Sequence, residues 1–105
     1  MIATGWNNGD WRPTGAGYDV KIRKQDRDKH FEKEWASVLV TINGRDAVKI
    51  KLSKSFWKDC VELRSREIGA WMRAQGFSTW PAYKPPQFKL IPRGGQTFEL
   101  LLVTK

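Results

Sequence analysis

The sequence predicts an α+β fold: a mainly antiparallel sheet of about five strands, curled or half-barrel, packed with one long helix. Three observations carry that expectation. Two pairs of alternating apolar and polar runs are each joined by a glycine-containing turn, the pattern of β-hairpins. An amphipathic stretch between the two pairs has helical periodicity. The 105 residues contain no internal repeat and no linker long enough to separate domains, so residues 1–105 are expected to form a single domain.

Taken in order, residues 1–17 read as an irregular N-terminal arm. Gly5, Gly9, Gly15 and Gly17, with Trp6 and Trp11 among Asn and Thr, argue against a helix or a long strand. Tyr18-Asp19-Val20-Lys21-Ile22-Arg23 alternates apolar and charged positions and is the first expected strand. In the charge-dense residues 24–35, Phe31 and Trp35 are spaced to meet on one side of a short helix or structured loop. Val38–Ile42 and Ala47–Leu52 flank Asn43-Gly44, a pair suited to the left-handed backbone of a tight hairpin turn. Ser53 or Ser55 then caps a helix expected to run to about Gln75, with Gly76 as its stop. Pro81, Pro85 and Pro86 exclude a helix in the next segment. A second hairpin follows, Gln87–Ile91 and Thr97–Val103, joined through Pro92-Arg93-Gly94-Gly95-Gln96.

Hydrophobic residues make up 40% of the chain and aromatics 12%, enough to fold, and six Trp with five Phe supply much of the expected core. Lys and Arg outnumber Asp and Glu by 19 to 11, a net charge of +8. That balance favours acidic partners such as nucleic-acid phosphates, although it also serves solubility alone. With Cys60 the single cysteine, no internal disulfide forms, and with His30 the single histidine no metal site or other cofactor is expected. No apolar run approaches the roughly 20 residues that span a bilayer, and Met1–Asn8 lacks the pattern of a signal peptide. A cytoplasmic protein without membrane association is the expectation.

On a helical wheel of residues 56–74, Lys58, Asp59, Glu62, Ser65, Arg66, Gly69 and Arg73 fall on one side. Phe56, Trp57, Cys60, Val61, Ile68, Trp71 and Met72 fall on the other. Arg64 and Glu67 lie inside the apolar stripe, between Cys60 and Trp71. Buried charges demand partners. Three arrangements satisfy them: an internal ion pair, a pocket edged by Arg64, Glu67 and Trp71 that takes a phosphate or carboxylate, or a bend near Arg64-Ser65 that exposes both charges.

No catalytic constellation stands out. His30 lies among Asp26, Asp28, Glu32 and Glu34, where a solvated histidine is the simpler reading. Asp19-Val20-Lys21 has the Asp-x-Lys spacing of metal-dependent nucleases, with both side chains on one strand face, but no upstream acid completes it. Cys60 reads as a small buried hydrophobe.

The remaining signal is charge. If the apolar positions of the strands point inward, Lys21, Arg23, Lys49, Lys51 and Lys89 point outward. Should their strands be adjacent, they form a positive platform for phosphates, bordered by Trp6, Trp11, Trp80 or Tyr83 as stacking rings. The leading expectation is therefore a non-enzymatic nucleic-acid-binding module. Its rivals are a protein- or small-molecule-binding homodimer, joined through a strand edge or the leucine-rich C-terminal strand, and a small ribonuclease.

Overall fold

The computed structural model describes residues 1–7, 17–44, 47–77 and 84–103. Seven strands form one mixed sheet: β1 (Ile2–Asn7), β2 (Tyr18–Ile22), β3 (Ser37–Ile42), β4 (Ala47–Lys51), β5 (Glu62–Arg64), β6 (Gln87–Pro92) and β7 (Thr97–Leu102). Helices α1 (Lys24–His30) and α2 (Arg66–Ala74) and a 3-10 turn at Lys54–Trp57 complete the fold. The strand order is β4-β3-β7-β6-β1-β2-β5, and the two edge strands approach one another, so the sheet curls into a nearly closed barrel. All neighbours are antiparallel except β3 and β7, which run parallel from Leu39↔Thr97 to Ile42↔Leu100.

Both expected hairpins form. Asn43 and Gly44 carry the left-handed φ values of 50° and 76° that the Asn-Gly turn requires. Gly94 and Gly95 do the same between β6 and β7, where Arg93 N–H donates to Thr97 O at 2.9 Å.

The arm expected at residues 1–17 is not irregular at its start. Ile2–Asn7 is a strand between β6 and β2, paired in register Ala3↔Phe88 and Ala3↔Ile22. Its glycine has a packing reason: a Cβ on Gly5 would lie 2.7 Å from Pro86 Cγ and 3.0 Å from Met72 Cε. Small residues at Ala3 and Gly5 let α2 and the Pro86 backbone close over this strand, and Gly5 N–H donates to Pro86 O at 2.8 Å.

The single long helix expected from residue 53 or 55 to 75 is replaced by three pieces. A 3-10 turn at 54–57 is followed by β5, and α2 begins only at Arg66. Val61-Glu62-Leu63-Arg64 alternates with period two, with Val61 and Leu63 buried and Arg64 exposed. Ser65 is the true cap: its hydroxyl accepts from Glu67 N–H at 3.2 Å and Ile68 N–H at 3.4 Å.

The inner face of the sheet holds the core. Val20, Val40, Leu63, Phe88, Leu90, Phe98 and Leu100 are fully buried. α2 contributes Trp71, whose ring centroid lies 5.2 Å from that of Phe88. Phe31, just past α1, stacks on Phe98 at 4.6 Å and meets Trp35 edge-on at 6.2 Å. Arg27 of α1 is buried. It donates to Phe56 O at 2.9 Å and Lys58 O at 3.1 Å, pairs with Asp28, and lies over the Trp57 ring, tying α1 to the 3-10 turn.

β7 lies between β3 and β6, so both its backbone edges are paired. Its consecutive leucines are used within the chain: Leu100 is fully buried, Leu102 packs against the core, and Leu101 is half-buried. Among the described residues, no helix is long and apolar enough to cross a membrane.

Candidate nucleic-acid interface

Strand alternation places the expected cations as the sequence implied. Lys21, Arg23, Lys49, Lys51 and Lys89 are all exposed, while Val20, Ile22, Ile50, Leu52, Phe88 and Leu90 are buried. On the strand order they fall into two sets. Lys49 and Lys51 stand on the edge strand β4, and β3 and β7 separate it from β6. Three strand spacings correspond to about 14 Å along the sheet, and across the seam β4 approaches β5, which stands between it and β2.

Lys21 and Arg23 line one groove, and Lys89 stands at its border, opposite Ile2. β1 lies between β2 and β6, with Thr4 opposite Lys21 on one side and Gln87 on the other, and with Ile2 opposite Lys89. Ile2, Thr4, Lys21, Ile22, Arg23 and Gln87 line a shallow groove of about 260 Å³ here. Beside its two isoleucines, the lining offers an ammonium, a guanidinium, a hydroxyl and an amide. Trp6 continues the β1 side of this face, and the Lys21 ammonium lies 5.0 Å from its ring centroid. Neither Arg23 nor Lys89 has an acidic partner among the described residues. A second depression, about 290 Å³, is lined by Ser37, Val38, Leu39, Lys49 and Gln96, and Leu39 is exposed beside it.

Next to the groove lies a cluster that sequence reasoning missed. β2 pairs with β5 in the register Asp19↔Arg64 and Lys21↔Glu62, which brings four charged side chains onto one outer face. Arg64 Nε is 3.5 Å from Asp19 Oδ2 and its Nη2 is 3.2 Å from Glu62 Oε2, while Lys21 Nζ is 3.8 Å from Glu62 Oε1. The Asp19 and Glu62 side chains are only 9% and 5% exposed, far less than the cations around them. Burial, reinforced by the neighbouring Glu62 charge, pushes the Asp19 carboxyl up to about 6, against the pull of Arg64 and Lys21. The Asp19-x-Lys21 element thus acquires a second carboxylate, from downstream rather than upstream. Among the described residues no three His, Cys, Asp or Glu side chains are grouped to hold a metal ion.

The pocket expected from Arg64, Glu67 and Trp71 is not assembled. Arg64 is exposed on β5, Glu67 is exposed in the first turn of α2, and Trp71 is buried against Phe88. Of the three arrangements, the break near Arg64-Ser65 is the one the chain adopts. Glu67 accepts from the Ser65 hydroxyl at 2.7 Å, which, with backbone hydrogen bonding, holds its carboxyl below the usual range. Cys60, expected to be buried, is exposed because no helix carries it inward. Trp11, Trp80 and Tyr83 lie outside the described residues. The half-buried Trp6, assigned to the arm by sequence, is the ring that borders the cations.

Comparison of the chain with known protein families, with curated proteins and with solved structures finds no match.

Proposed function

We propose that the protein binds single-stranded nucleic acid along the outer face of β2, β1 and β6. The observation that carries this reading is the groove lined by Lys21 and Arg23, with Lys89 opposite Ile2 at its border and Trp6 on the same face. Phosphates meet the three cations and the polar lining, and a base stacks on Trp6, a contact worth about 1–3 kcal/mol. Among the described residues no helix presents a face suited to a duplex groove: exposed α1 positions mix Lys24 and Lys29 with Asp28, and exposed α2 positions mix Arg66 with Glu67.

Fluorescence anisotropy with a labelled oligonucleotide tests the site. The triple variant Lys21→Glu, Arg23→Glu, Lys89→Glu is expected to abolish measurable binding, and Trp6→Ala to weaken it about tenfold or more. Undiminished affinity in the triple variant rules this face out. The ribonuclease reading gains Glu62 as a second acid beside Asp19 and Lys21. Incubation of labelled RNA with and without Mg²⁺ separates the two readings, intact RNA favouring the binder.

A further inference from the structure

The groove and the charged cluster share Lys21. Its ammonium faces Trp6 and lines the groove, yet it also lies 3.8 Å from Glu62. With both carboxylates ionised, two negative charges meet two positive ones and the cluster is neutral. We propose that the Asp19–Glu62 pair is a proton-operated control on the β2–β1–β6 groove: uptake of a proton shared by the two carboxyl groups leaves the cluster with one net positive charge, frees Lys21 for a polyanion and tightens binding. This rests on the reading of that face as the polyanion site.

The geometry supplies each component. Asp19 and Glu62 lie on adjacent strands with their carboxyl groups close enough to share a hydrogen bond, and both are almost wholly removed from water. A pair of such groups holds a proton far more readily than either alone, because one ionised carboxylate opposes ionisation of the other and accepts its hydrogen bond. The proton taken up by Asp19 is donated to Glu62, which competes with Lys21 for the same carboxylate. Among the described residues, the charged groups facing Asp19 are Lys21 on its own strand and Glu62 and Arg64 on β5. β1 contributes the uncharged Trp6 opposite Asp19, and α2, packed against β2, directs Arg73 to the Tyr18 hydroxyl instead. The raised Asp19 carboxyl, at about 6, puts the transition within reach of ordinary cellular pH changes.

The test measures binding of labelled oligothymidylate, whose bases do not titrate in this range, from about pH 7.5 to about pH 5 at constant ionic strength. Wild type, Asp19→Asn, Glu62→Gln and His30→Gln are compared, the last because histidine ordinarily titrates in the same window. Circular dichroism at each pH confirms that each variant is folded. Wild type and His30→Gln are expected to tighten about three- to tenfold on acidification, the effect of a change of about half to one pKa unit on binding. Asp19→Asn is expected to bind with nearly constant affinity, close to that of wild type at the acid end, and Glu62→Gln to lose most of the pH dependence. Should either variant fail to fold, NMR titration of the wild-type Asp19 carboxyl decides the matter, since the oligonucleotide must raise its pKa. A flat wild-type profile, a wild-type-like profile in Asp19→Asn, or an unmoved Asp19 titration overturns the proposal while leaving the groove intact as a binding face. Absence of binding at every pH overturns both.

Discussion

Beside Glu62 and away from water, Asp19 is a group whose protonation the fold favours. Because the folded chain holds this proton more tightly than the unfolded chain, unfolding releases it between the usual 3.8 and about 6. Its contribution to stability is therefore fully present below that window and is lost as pH rises through it. Asp19→Asn, which keeps a donor to Glu62 but carries no charge, is expected to raise stability at about pH 7.5 by roughly 1–3 kcal/mol and to gain nothing at acid pH. Urea unfolding at the two pH values checks the difference. Gly5 sets an opposite constraint, since its neighbours Pro86 and Met72 leave no room for a Cβ. Gly5→Ala should cost about 1–3 kcal/mol by the same measurement, through displacement of α2 from β1.

At the scale of elements, the segment 53–65 decides the architecture. A continuous helix through it would bury Arg64 and Glu67 in an apolar stripe; the chain avoids that by inserting β5 and restarting at the Ser65 cap. Ser65→Ala is expected to cost about 1 kcal/mol, the usual value of an N-cap hydroxyl, whereas Ser53→Ala and Ser55→Ala should cost less. Neither Ser53 nor Ser55 caps a helix: their hydroxyls bond one another across the 3-10 turn. The same segment is held by Arg27, whose guanidinium satisfies two carbonyls that a shorter side chain would leave buried and unpaired. Arg27→Ala should lower stability by about 2–4 kcal/mol, and Arg27→Lys should recover little of it, because an ammonium cannot reach Asp28 as Nε does while bonding both carbonyls as Nη1 does. Thermal melts of the two variants test this link between α1 and the 3-10 turn.

Across the whole molecule, strand order sorts the cations into two sets. Lys49 and Lys51 belong to the edge strand β4, Lys21 and Arg23 line the groove, and Lys89 stands on β6 at its border. Three phosphate contacts give an expected slope of about −2 for log affinity against log salt with a single strand. The double variant Lys49→Glu, Lys51→Glu should lower affinity modestly and leave that slope nearly unchanged, whereas the groove triple variant should remove it. A salt titration by anisotropy distinguishes a local site from diffuse attraction by the net charge of +8.

The features legible in the amino-acid order are local ones. Period-two alternation set which residues of β2, β3, β4, β6 and β7 face the core, and glycines with left-handed backbone located both hairpins. Local pattern failed where one stretch satisfied two periods. Residues 56–74 mimic a helix on a wheel, although Val61–Arg64 also alternates as a strand; Ile2–Asn7 hides a central strand behind small residues that only a packing partner explains. The strand order, the parallel β3–β7 pairing and the Asp19–Glu62 contact across β2 and β5 emerge only on folding. Burial of a strand's apolar face fixes its orientation but not its neighbours. Which charges meet depends on pairing between segments more than 40 residues apart, and no local propensity encodes that pairing.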